Sequence, residues 1–86
     1  MRSVRRCIHE ILLCVLEELE KEEKNVTELI HNCKIDVRCF RKIRKILLEN
    51  ELAIEKRMSG RVIYSLTDRG RTLLNYLKKV REIVKT

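Results

Sequence analysis

Four cations, Arg38, Arg41, Lys42 and Lys45, stand at i, i+3, i+4 and i+7 within the stretch DVRCFRKIRKILLEN, residues 36–50. At about 100° per residue they share one face of a helix, while Phe40, Ile43 and Leu47 share the other. A helix kept only for its stability would alternate signs on the solvent side, because each i,i+4 ion pair adds roughly 0.2–0.5 kcal/mol. Here no acidic residue interrupts the cationic face until Glu49 and Glu51. Such a ridge suits an external polyanion. Arginine can grip guanine O6 and N7 in a bidentate pair and lysine serves chiefly as a phosphate contact, so Arg38 and Arg41 are candidates for base edges and Lys42 and Lys45 for the backbone. A solvated basic face that meets an acidic protein is the plainer alternative.

Other chemistry finds less support. Cys7, Cys14, Cys33 and Cys39 with His9 and His31 contain no C-x-x-C and no paired histidine spacing, so a structural zinc site is not expected, and no metal or other cofactor is assigned. The thiols read as small apolar residues. A Cys33–Cys39 disulfide across a turn is conceivable, as is a bridge between two subunits through Cys7 or Cys14. The chain has only Gly60 and Gly70, hence no glycine-rich phosphate loop, and no Ser/His/Asp set at a familiar spacing; it is not expected to be an enzyme. Of three aromatic residues, Phe40 and Tyr64 fall at core positions, leaving Tyr76. Stacking platforms for single strands are therefore scarce, and duplex DNA is the preferred partner.

Charge is distributed unevenly. Residues 1–36 hold six Lys/Arg against eight Asp/Glu and residues 37–86 hold fourteen against five, which together give the net charge of +7. The excess belongs to the C-terminal half. No apolar run approaches the ~20 residues of a membrane span, and the start is a poor signal peptide, so a cytoplasmic, nucleoid-associated protein without a membrane partner is expected. Abundant Lys and Glu with no Gln resemble thermophile usage.

Eighty-six residues make one domain with a small core. The expected architecture is mostly α with a small β-hairpin, and the N- and C-terminal helices are long. Helical spacing from Val4 to Leu19, with Ser3 as cap, predicts a first helix over 3–24 that breaks at Asn25. Thr27 is expected to cap a short second helix and Asp36 a third, giving a helix-turn-helix over 27–50. The period then changes to two. LAIEKR and RVIYSL read as strands joined around Ser59 and Gly60, a wing over 53–66 whose arms carry Lys56, Arg57 and Arg61. Thr67 caps a last helix, 68–85. Its Leu73, Leu77, Val80 and Val84 form a heptad-like stripe that a second chain would cover in a homodimer, although packing on the first helix would also account for it.

Residues 26–74, and YSLTDRG above all, resemble the winged helix-turn-helix regulators of bacteria and archaea; Glu51 departs from the pattern by standing where glycine is usual. The long C-terminal helix is similar to that of small dimeric members from archaea and their viruses. The resemblance implies a transcriptional regulator that inserts helix 36–50 in the major groove. Carried over residue by residue, it places Arg38, Arg41, Lys42 and Lys45 in the groove and Lys56, Arg57, Ser59 and Arg61 on the wing, against backbone or minor groove. Helix 36–50 has no Asn or Gln before Asn50 to read adenine, so a sequence-tolerant architectural role stands beside operator recognition, with a winged-helix protein-interaction module as a further alternative.

Overall fold

The computed structural model describes residues 8–84. The elements run α1 (Ile8–Lys21), β1 (Lys24–Asn25), α2 (Val26–Cys33), α3 (Val37–Glu49), β2 (Ala53–Met58), β3 (Arg61–Leu66) and α4 (Asp68–Ile83). This is the winged-helix order, mostly helical, with a small antiparallel sheet in which β3 lies between β1 and β2. The expected cap Ser3 and the thiol of Cys7 lie outside the described residues, as do residues 85 and 86.

Three expected boundaries move. α1 ends at Lys21 instead of residue 24, because Lys24 and Asn25 leave the helix to pair with Tyr64 and Ile63 of β3. Lys24 is buried; its ammonium donates to the Glu18 carbonyl at 3.2 Å and pairs with Glu22 at 3.6 Å. The cap of α2 is Asn25 and not Thr27, which sits inside the first turn. Asn25 is extended, its Oδ1 accepts from the Glu28 N–H at 2.8 Å, and the Glu28 carboxylate accepts from the Asn25 N–H at 3.0 Å. This reciprocal pair satisfies two amide donors that the helix leaves open, which a single threonine would not do. α4 ends at Ile83, short of residue 85. Asp36 and Thr67 cap α3 and α4 as expected, accepting from the amides of Cys39 at 2.7 Å and Gly70 at 2.9 Å.

The core gathers Val15 and Leu16 of α1, Leu29 of α2, Ile43 and Leu47 of α3, Tyr64 of β3 and Leu74 of α4, all fully buried. Phe40 meets the Tyr64 ring edge-on, with centroids 5.7 Å apart. A disulfide joins Cys14 to Cys33, tying α1 to α2 with Cα atoms 6.0 Å apart, and Cys39 is a free thiol. Cys33 therefore reaches back to α1 and does not bridge the turn to Cys39, and Cys14 is occupied within its own chain.

The chain enters the hairpin through Glu51, which takes the left-handed conformation (φ 56°) usually left to glycine. That costs roughly 1–2 kcal/mol for a residue with a Cβ. The Leu52 N–H bonding to the Leu47 carbonyl at 2.8 Å and the Thr67 hydroxyl donating to the Glu51 carbonyl at 2.7 Å hold the turn. Gly70 is needed for a different reason. α4 crosses so close to the chain that a Cβ there would strike the Leu52 carbonyl and the Leu66 side chain. Gly70→Ala should destabilise the fold by about 1–3 kcal/mol through overpacking, although alanine is by itself the better helix former by ~1 kcal/mol. Urea unfolding would check the sign, and a more stable variant would refute the close approach.

Candidate nucleic-acid interface

Asp36 starts α3 in the register that turns Phe40, Ile43 and Leu47 into the core. Arg38, Arg41, Lys42 and Lys45 are thereby left exposed along the opposite side. Among the described residues none of these four has a carboxylate within ion-pair distance. Elsewhere cations are mostly committed. Arg71 and Lys78 reach Glu20 at 3.8 and 3.1 Å and Arg81 reaches Glu17 at 3.3 Å, clamping α4 to α1. Lys21 pairs with Glu18 at 3.1 Å. The acidic run of α1 is thus largely neutralised by the chain's own bases, and among the described residues most of the cations without an ion pair stand on α3 and the wing, with Arg69 and Lys79 of α4 as others.

The wing cations divide by face. Cross-strand partners point to the same side of a sheet, and the register pairs Glu55 with Tyr64, Arg57 with Val62, Lys56 with Ile63 and Met58 with Arg61. Because Tyr64 points into the core, Glu55 and Arg57 lie on the side that packs on α3, whereas Lys56 and Arg61 lie on the other. Lys56 is engaged with Glu23 at 2.6 Å, which holds the Glu23 carboxyl below the usual carboxylate range. Arg57 and Arg61 have no ion pair among the described residues. Ser59 and Gly60 form the tip, both at positive φ (52° and 77°), a geometry that matches the twist of a two-residue hairpin.

Sequence reasoning passed over Arg44, the fifth cation of α3. Its guanidinium grips Glu55 in a bidentate pair, Nε to Oε2 at 2.9 Å and Nη2 to Oε1 at 3.1 Å, and Nε also lies 3.2 Å from the Tyr64 hydroxyl. That hydroxyl donates to Glu55 Oε2 at 2.6 Å. The only hint in the sequence was Arg44's place off the ridge, since its partners are far along the chain. Arg44 and Tyr64 hold the Glu55 carboxyl down, and the guanidinium is held protonated more firmly than usual by Glu55 and Tyr64. Burial, with the bond to Glu55, pushes the Tyr64 phenol up to about 12. The folded protein holds that proton more tightly than the unfolded chain, so the contribution to stability is complete below pH ~10 and lost as pH rises through about 12. Alkaline unfolding curves should therefore lose part of their slope in Tyr64→Phe; identical curves would contradict this.

The apolar stripe of the last helix, expected to be covered by a second chain, also divides. Leu73 and Leu77 pack partly on the chain's own core, whereas Val80 is 54% and Val84 59% exposed, with Tyr76 (63%) and Ile83 (81%) beside them. Among the described residues no three His, Cys, Asp or Glu side chains converge as a metal site would require, and no helix is long and apolar enough to cross a membrane.

The profile of the winged helix-turn-helix family matches residues 5–85. Among solved structures, Sso10a-2 of Sulfolobus solfataricus, described as a DNA-binding protein, superposes with a TM-score of 0.83 at 22% identity, covering 91% of this chain and 81% of that one. The transcriptional regulator BldR of the same organism gives 0.77 at 18% identity over 86% and 59%. The repressor CouR, solved on a 23-mer DNA duplex, gives 0.72 at 27% identity, covering 81% of this chain and about half (52%) of that one. No curated protein matches.

Proposed function

We propose, since this chain belongs to the winged helix-turn-helix family, that it binds duplex DNA as a homodimer and regulates transcription in the cytoplasm. α3 enters the major groove with Arg38 and Arg41 toward base edges and Lys42 and Lys45 toward phosphates, and the wing lies on the backbone through Arg57, Ser59 and Arg61. One observation carries the reading: among the described residues the four ridge cations stand exposed on one face without an ion pair, while seven others are tied to carboxylates. Lys56, among those seven, contributes to the wing by its pair with Glu23 before any contact with DNA. The DNA-binding protein Sso10a-2 and the repressor CouR on its duplex, to which the chain is similar, point the same way.

The outer stripe of α4, Tyr76, Val80 and Ile83, with Val84 at its C-cap, supports the dimer, since exposed apolar residues grouped along one helix find cover most simply in a second copy. Two recognition helices about 34 Å apart would then meet a pseudo-palindromic site. A sequence-tolerant architectural role is favoured by one feature. Asn50, the first amide side chain of the region, is spent on the Ile46 carbonyl at 2.9 Å, so no adenine reader is on offer.

Titration against random duplex and against a selected pool, across salt concentrations, tests the proposal. A steep loss of affinity with salt and a preference of at least ~10³-fold for one palindrome would establish operator recognition. The same slope without preference would assign the architectural role. Negligible binding at low salt would overturn both. Sedimentation of the free protein checks the dimer, which a monomer at all concentrations would exclude.

A further inference from the structure

Glu55 is out of place on a surface meant for a polyanion. It lies on the same side of the wing as Arg57, two residues on, and facing α3, where a carboxylate repels phosphate. Yet both its oxygens are bonded. Oε1 takes one guanidinium N–H of Arg44, and Oε2 takes the other together with the Tyr64 hydroxyl. The three residues come from α3, β2 and β3, and the Tyr64 ring is anchored in the core against Phe40. From Ile54 to Met58 every residue of β2 is exposed, so apolar packing holds the wing through Val62, Tyr64 and Leu66 of β3 and does little to fix β2 itself. Two polar ties act there instead, Glu55 to Arg44 on one face and Lys56 to Glu23 on the other.

We infer that Arg44, Glu55 and Tyr64 form a positioning cluster that sets the wing, and Arg57 with it, at a fixed angle to the α3 ridge, an inference that rests on the duplex-binding reading above. Arg44 and Glu55 are on this account positioning residues that act through Arg57. Holding Arg57 in place before binding removes an ordering cost that DNA would otherwise have to meet. The bidentate geometry matters, because a lysine in place of Arg44 would keep the charge and lose the fork.

The sign of one substitution separates this from simple electrostatics. Glu55→Gln raises the net charge from +7 to +8, so charge alone predicts tighter binding. Positioning predicts the opposite, a loss of about three- to tenfold. The experiment measures duplex affinity by fluorescence anisotropy for the wild type and Glu55→Gln, each with and without Arg57→Ala, with Arg41→Ala as the control and thermal melts to confirm folding. Arg57→Ala should cost much less in the Glu55→Gln background than in the wild type, while Arg41→Ala costs the same in both. Unchanged or tighter binding by Glu55→Gln, or additive costs at Arg57, would overturn the cluster's role and leave the duplex-binding reading intact. A wild type that does not bind duplex would overturn that reading and this inference together. Should Glu55→Gln fail to fold, Arg44→Lys, which keeps the charge and loses the fork, carries the same cycle with the same expected direction of loss.

Discussion

Reversing two ridge charges, in Arg41→Glu with Lys45→Glu, should lower duplex affinity by at least about a hundredfold near 0.1 M salt. Lys45 gives up a phosphate contact that contributes close to a tenfold factor at that ionic strength through counterion release, Arg41 gives up a base-edge contact of about 1–3 kcal/mol, and reversal adds repulsion to both losses. The salt dependence should flatten by about the one phosphate contact of Lys45, which separates a change in electrostatics from a change in fold. Neither side chain has an ion pair among the described residues, and both are exposed. Destabilisation should therefore stay within about 1 kcal/mol, most of it from new like-charge neighbours such as Glu49. The informative control is the same charge change on α4, at Arg69 and Lys79, which are likewise exposed without an ion pair. Equal losses from both doubles would mean that DNA responds only to net charge, and the ridge would have no special standing.

That experiment addresses residues whose arrangement was already readable in the sequence, and the reason is local. A capping aspartate three residues before an amide, a 3.6-residue apolar period and a Ser-Gly tip each act within a few positions, so α3, the wing and the start of α4 follow from neighbouring residue types. The winged-helix resemblance added the order of the elements. What stayed hidden depends on distant partners. Nothing in Lys24 and Asn25 favours a strand; they form one because β3 offers an edge at that point. Arg44 meets Glu55 and Tyr64 across 11 and 20 residues, and Lys56 meets Glu23 across 33. Spacing along the chain therefore could not separate the cations that hold the fold from those left for a ligand. Apportioning them required the packed α1–α4 and α3–wing surfaces, and it removed Lys56 from the free set while it explained Arg44.

The cysteine pairing was hidden for the same reason, and it leads to the largest expected effect on stability. Four thiols allow several pairings, and only the crossing of α1 over α2 selects Cys14 with Cys33, 19 residues apart. Closing a loop of that size in the unfolded chain is worth about 3 kcal/mol. A domain of 86 residues has a total stability of roughly 4–13 kcal/mol, so the bond accounts for a large fraction of it. Reduction with a thiol reagent should lower the melting temperature by roughly 12–24 °C, and a Cys14→Ala/Cys33→Ala double variant should melt near the reduced wild type and ignore the reagent. Cys33→Ser alone should fare worse than the double alanine, since it would leave a hydroxyl where Cys33 is now fully buried. If oxidised and reduced proteins melt together at equal concentration, the bond has no part in holding α2 to α1. The helix-turn-helix would then owe its stability to Leu29, Ile43 and Leu47 packing on Val15 and Leu16 alone.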